Sequence, residues 1–261
     1  MNSTASKYGQ IVKIHYTNST IEIKNFFNLT IYKNELDLVH IEIDQLENTY
    51  VNEHQLTLMM NQLAEQCYSS IFPITFLRNS NSIQIVNNDD IIKKWKIKKP
   101  EIESYFKGQI AVDYCNQFEK VLSDELLLNE YLQRSTFIFY LTQVRTILGN
   151  SYVENYEHLI PIMPSLELPF ITTRTFLEDK ENEDDLIYFE IEAEQSKNYS
   201  NFLLNKLIQV NLIENNEKEF KWNYQLNGYV SSEKIIHNLT MIIKIGNSTQ
   251  SKIEIDIAKM T

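Results

Sequence analysis

The period of the apolar residues changes twice along this chain, and that pattern limits the fold more than any other feature of the sequence. Val39, Ile41 and Ile43 alternate with His40, Glu42 and Asp44. Phe220, Trp222, Tyr224 and Leu226 alternate likewise with Lys221, Asn223 and Gln225. A period of two puts one face of a strand on a core and the other in water. Between these regions, Leu56, Met59, Met60, Leu63, Cys67 and Ile71 recur at helical spacing instead. The expected fold is therefore α+β, with antiparallel and curved sheet from N- and C-terminal strands around a central helical block.

Local signals place the elements. Ile11–Tyr16 and Thr20–Ile23 read as strands joined at Asn18-Ser19, and Leu29–Tyr32 and Leu36–Ile43 continue the pattern. Asn52 and Gln55 have the form of a helix-capping pair, and Pro73 ends the helix that follows. Ile74–Leu77 and Ile83–Val86 read as a strand pair. Asn88 or Asp89 caps a helix bearing Ile91, Ile92 and Trp95. Pro100 is expected to break or restart that helix, and Gly108 to cap its end. Further helices carry Ile110, Tyr114, Phe118 and Val121, then Leu126, Leu127 and Leu132. Phe137–Leu141 fits a buried strand or a helix end equally.

From His158 onward the period returns to two. Leu168–Leu177 and Leu186–Ala193 flank an acidic stretch and read as a hairpin. Tyr199–Ile213 has a helical pattern. Asn227-Gly228 is expected to form a bulge or bend, and Leu239–Ile245 and Ile253–Ile257 form the closing strands. No fixed-period repeat and no Pro/Ser/Gly linker divides the chain, so a single domain spanning 1–261 is expected, with a weak boundary near 149–157.

Charge and rare residues exclude several functions. The 261-residue chain carries 24 basic and 35 acidic side chains, a net charge of −11 that repels phosphate backbones. Its one basic cluster, Lys93, Lys94, Lys96, Lys98 and Lys99, reads as a solvated helix face, so no nucleic-acid partner is expected. Only five glycines are present, and neither GxxxxGK[ST] nor GxGxxG occurs. A GxSxG nucleophile elbow is also missing. His15, His40, His54, His158 and His237 are not at metal-ligand spacing, and His15 and His40 are expected to face solvent. Cys67 and Cys115 sit at apolar helical positions and read as buried free thiols, a disulfide needing an oxidising compartment. No cofactor, no metal and no catalytic residue is expected.

No run approaches the ~20 apolar residues of a membrane-spanning helix, and Met1–Gln10 lacks the apolar core of a leader. The expected location is the cytoplasm, the alternative being an exported mature form without its leader. Asn-x-Ser/Thr triplets at Asn18, Asn28, Asn238 and Asn247 arise by chance in an asparagine-rich chain and are not read as glycosylation sites.

Two features suggest binding. Glu178, Asp179, Glu181, Glu183, Asp184 and Asp185 form an acidic hairpin tip, a partner-contact loop for a basic protein. Its spacing and lack of glycine do not fit an EF-hand. The 15 Tyr, 13 Phe and 2 Trp supply a core, and any left exposed supply an interaction surface. The expected function is a non-enzymatic protein-interaction or assembly protein with an acidic, aromatic-rich surface and another protein as partner. The order of strands, helices and strands, with Gln225-Leu226-Asn227-Gly228-Tyr229 before two long alternating strands, resembles the LolA-like half-barrel carriers of bacterial envelopes. That resemblance implies the alternative function, a carrier of an apolar ligand or lipid. The helical block over 88–133 is larger than such a carrier needs, and no site residue transfers from the family. An enzyme with a site assembled only by folding is the third reading.

Overall fold

The computed structural model describes residues 3–16, 18–34, 38–78, 83–141, 156–163, 166–179, 186–197, 199–213, 221–231, 235–246 and 251–260. Among these, thirteen strands form one open antiparallel sheet, and the expected α+β class is the observed one. The strands are β1 (Ser3–His15), β2 (Thr20–Lys33), β3 (Val39–Gln45), β4 (Tyr50–Val51), β5 (His54–Gln55), β6 (Ile74–Arg78), β7 (Ile83–Ile85), β8 (Glu157–Met163), β9 (Leu166–Asp179), β10 (Leu186–Gln195), β11 (Trp222–Ser231), β12 (Ile236–Ile245) and β13 (Ser251–Met260). Their hydrogen-bonded order is β7-β6-β3-β2-β1-β13-β12-β11-β10-β9-β8, with β4 on β2 and β5 on β4. Among the described residues the sheet is open, with β7 and β8 at the ends of the order. Pro161 lies in β8, at an edge where a missing N–H costs no ladder bond.

The helices are α1 (Met59–Ser69), α2 (Asn88–Tyr105), α3 (Gln109–Ser123), α4 (Glu125–Gln133), α5 (described over 136–141) and α6 (Asn201–Gln209). The stretch Phe137–Leu141 is thus helical, not a strand.

The chain divides into two compact units. The first comprises Met1–Gly9, Lys24–Leu132 and Met260–Thr261, and the second Gln10–Ile23 and Gln133–Lys259. The core of the first unit joins the apolar face of β2, β3 and β6 to α1–α4. Phe27, Leu29, Ile43, Ile74 and Phe76 from the strands, with Leu63, Trp95, Phe118, Leu128 and Leu132 from the helices, are buried. Trp95 and Phe118 meet edge to face at 4.9 Å between ring centroids, and Phe118 meets Tyr131 in the same way at 5.7 Å.

The second unit shows the alternation in its strands directly. Trp222, Tyr224, Leu226, Gly228 and Val230 of β11 are buried, while Asn223 and Gln225 are exposed. The indole N–H of Trp222 donates to the Pro169 carbonyl at 2.9 Å, so the largest apolar side chain of the strand is buried without losing its polar contact. Tyr140 from α5 donates its hydroxyl to the Met241 sulfur at 2.6 Å.

Four local expectations fail for identifiable reasons. Asn52 does not cap a helix. It and Glu53 have φ of 50° and 65°, the left-handed pair that a two-residue type I′ hairpin requires between β4 and β5, and α1 starts seven residues later. Pro100 does not interrupt α2. It and Lys96, whose carbonyl loses its partner, are exposed, so water satisfies the gap. Gly108 caps the start of α3 with φ 114° and not the end of α2. Asn227-Gly228 is regular ladder, paired with Thr240 and Leu239, and the irregularity falls at Tyr229/Val230. Gly228 is required by proximity: a Cβ there would lie 2.2 Å from the Asn238 carbonyl oxygen.

Candidate functional site

A cleft of about 380 Å³ opens on the first unit, between the loop after β3, the β4–β5 hairpin, α1 and α2. The sequence pattern fixes each wall. In α1 the spacing 62, 65, 66 puts Gln62, Glu65 and Gln66 on one face, while Leu63 and Cys67 turn into the core. In α2, Lys98, Glu101, Ile102 and Tyr105, with Phe106 at its C-cap, line the opposite wall at spacings of three and four. Ile102 and Phe106 are buried and form an apolar floor, and Tyr105 is 69% exposed at the rim.

Glu65 builds the third wall. One of its oxygens accepts Gln45 Nε2 at 2.8 Å and the backbone N–H of Thr49 at 3.0 Å. The other accepts the Thr49 hydroxyl at 2.8 Å. These bonds tie the loop at Asn48-Thr49 to α1 and use the carboxylate's acceptor capacity on the wall itself. Gln62 donates Nε2 to the Leu56 carbonyl at 2.9 Å and fixes the chain entering α1. The side-chain amides of Asn48, Gln55 and Gln66 have no hydrogen-bond partner among the described residues, and all three residues are exposed at the cleft. The cleft thus offers carboxamides, one exposed aromatic ring, an apolar floor and the opposed charges of Lys98 and Glu101.

The acidic hairpin is only partly described. β9 and β10 pair antiparallel, with Asp179 opposite Ile187, so the hairpin itself is observed. Glu178 and Asp179 end β9, whereas Glu181, Glu183, Asp184 and Asp185 lie outside the described residues. None of the six belongs to the cleft.

The lysine cluster disperses over α2. Lys93 pairs with Asp90, Lys94 donates to the Phe72 carbonyl, and Lys99 pairs with Glu119 at 2.5 Å and contacts Asn116 at 2.7 Å. Burial lowers the pKa of Lys94.

Cys67 and Cys115 are free and completely buried. Burial pushes both thiols up, away from the reactive thiolate.

The histidines are less exposed than expected. His15 is half-buried, and its Nε2 lies 3.0 Å from a Glu254 oxygen. Lys252 first, and then His15, hold the Glu254 carboxyl below the ordinary carboxylate value. His40 stacks on Tyr32 with ring planes 7° apart, and both its ring nitrogens are enclosed without a hydrogen-bond partner. Alternation placed these side chains on the outer face of their strands, and neighbouring side chains on that face cover them. His158 sits among Tyr156, Phe170 and Tyr224, its Nε2 2.6 Å from the Tyr224 hydroxyl. Burial lowers its pKa, so the ring is held neutral.

Among the described residues, no group of three or more His, Cys, Asp or Glu side chains is arranged to hold a metal ion. No described helix is long and apolar enough to cross a membrane.

Sequence reasoning missed the cleft. Its signal is faint: glutamines at 62 and 66 on the face of α1 opposite the core, and an aromatic pair ending α2. Comparison with known protein families finds no match, and no curated protein is similar to the chain. The class is therefore defined by the fold alone: an α+β protein with an open antiparallel sheet and a helical block.

Proposed function

We propose that this is a non-enzymatic protein-interaction or assembly protein that meets its partner through the helical block of its first unit. The observation that carries the reading is the set of large apolar side chains left in water there. Ile97 of α2 and Ile110 of α3 are each 70% exposed, and Leu126 of α4 is 76% exposed. Leu58, Met59 and Met60 at the start of α1 are exposed as well. Single exposed apolar residues need no explanation, but repeated ones on each helix of one block favour a binding surface. Methionine and leucine adapt to varied partner shapes.

This reading revises the chemistry expected of the surface. About half of the described aromatic side chains are buried in the core, including Trp95, Trp222, Tyr140, Tyr224 and Phe170. The exposed large apolar groups are chiefly aliphatic, with Tyr105, Phe176, Tyr199 and Phe202 as aromatic exceptions among the described residues. The acidic charge still speeds encounter with a basic partner, since long-range attraction raises association rates. The same burial weakens the carrier reading: Trp222, Tyr224 and Phe170, the residues available to line an apolar pocket in a half-barrel, are packed against one another or the backbone.

The test is recovery of the tagged full chain from its native host, followed by gel filtration of the eluate. The reading expects co-elution with a defined protein, lost when Ile97, Ile110 and Leu126 are changed together to glutamate. A lone monomer with no stoichiometric partner, or a partner retained by the triple variant, refutes it.

A further inference from the structure

Building on the interaction reading, we infer that the cleft of the first unit binds an extended, uncharged peptide segment, aligned on the outer edge of β5. Three independent features of the cleft meet in this ligand.

The first is a backbone edge. In the β4–β5 hairpin, Val51 and His54 flank a two-residue turn, and Tyr50 faces Gln55. The residues flanking such a turn form the hydrogen-bonded pair, so the next pair is non-hydrogen-bonded. The N–H and C=O of Gln55 therefore point away from β4. Among the described residues β5 pairs with no strand but β4, and Gln55 lines the cleft. An unpaired edge donor and acceptor of this kind take another strand.

The second is the set of side-chain amides. Asn48, Gln55 and Gln66 are unpartnered among the described residues, and Gln62 retains its Oε1 after donating Nε2 to Leu56. A carboxamide offers one acceptor and paired donors, and it meets a peptide unit's C=O and N–H with complementary groups. The third is the apolar floor of Ile102 and Phe106 below Leu56 and Tyr105, which takes one apolar side chain of the guest. Charge gives an ionic guest no net advantage: Lys98 and Glu101 on one wall carry opposite charges, and the Glu65 oxygens already accept from Gln45 and Thr49. A saccharide would use the carboxamides and Tyr105, but it has no peptide unit whose C=O and N–H meet the outward N–H and C=O of Gln55.

The experiment pans a random dodecapeptide phage library against the full chain and synthesises the most enriched sequence with a fluorescent label. Anisotropy titration then measures its affinity for the wild type, Gln66→Ala and Tyr105→Ala. These two residues are exposed, and thermal melts confirm that each variant folds. The inference expects an apolar residue flanked by uncharged ones in the enriched sequence. Each variant should weaken the affinity about tenfold, and so should N-methylation of a single peptide N–H that pairs with β5. Three results overturn it: no peptide binding tighter than about 1 mM, binding indifferent to both variants, or binding of neutral oligosaccharides in place of peptides. If both cleft variants still capture the cellular partner while the Ile97/Ile110/Leu126 triple variant loses it, the peptide inference falls and the interaction reading stands.

Discussion

Glu65 is the side chain on which the cleft's shape depends, and replacing it gives a calculable loss. Its carboxylate accepts three hydrogen bonds, from Gln45, the Thr49 backbone and the Thr49 hydroxyl. A hydrogen bond to a charged group contributes about 1.5–3 kcal/mol, and a buried donor left unsatisfied costs about 1–3 kcal/mol. Glu65 is half-buried, so water reaches the vacated donors and the lower end applies. Gln45 also bonds to the Glu47 carbonyl, and without Glu65 the single hydroxyl proton of Thr49 turns to Asn25 Oδ1 at 2.7 Å, so neither donor residue is left wholly without a partner. Glu65→Ala should then cost about 2–3 kcal/mol, and Glu65→Gln, which keeps one acceptor, about 1–2 kcal/mol. In a chain of this length that is a fall in Tm of roughly 4–10 °C for the alanine variant. Urea unfolding gives the global cost, and amide hydrogen exchange at Thr49 reports the local one. The Thr49 amide should exchange faster in the variant by more than the global loss explains, because the loop opens by itself. A cost below about 0.5 kcal/mol with unchanged exchange at Thr49 would refute the claim that α1 holds this loop.

Three other outcomes follow. Gly228→Ala should destabilise the second unit by about 1–3 kcal/mol, because its Cβ meets the Asn238 carbonyl; an unchanged urea midpoint would mean that β12 gives way without cost. His158 is held neutral by burial, so the folded state binds its proton less readily than the unfolded chain. Its stability contribution is complete above the unfolded value near 6.5 and is lost as pH falls from there toward the lowered folded value. Urea midpoints at about pH 7.5 and pH 5.5 should therefore differ more for the wild type than for His158→Gln, and equal differences would contradict the assignment. Cys67 and Cys115, buried and pushed up in pKa, should not react with a disulfide reagent such as dithionitrobenzoate in the native protein and should react fully in urea; fast native reaction would show that α1 and α3 open readily.

What the sequence made legible was periodicity. The strands Trp222–Leu226 and Ile253–Ile257 and the helix through Leu63 and Cys67 were readable because one face of each is buried and the other wet, while Phe220 lies outside the described residues. What stayed hidden depended on distant partners or backbone strain. Asn52 and Glu53 carry no apolar signal, and their left-handed pair appears only once β4 and β5 are paired. Gly228 resembled a turn residue because its need for space comes from a neighbouring strand. Residues 3–10 looked like a polar start, yet Ser3–Gln10 belongs to β1, whose buried positions Tyr8, Gln10, Val12 and Ile14 alternate across a polar-looking run. The cleft was invisible because its lining residues are polar and spread over three segments between 48 and 106.

Chemical cross-linking of the complex recovered from the native host, read by mass spectrometry, locates the partner on one unit or the other. The account predicts that partner cross-links concentrate on Lys93, Lys96, Lys107 and Lys120, the exposed lysines of the helical block. Cross-links confined to Lys197, Lys244 and Lys259, exposed in the second unit, would contradict it.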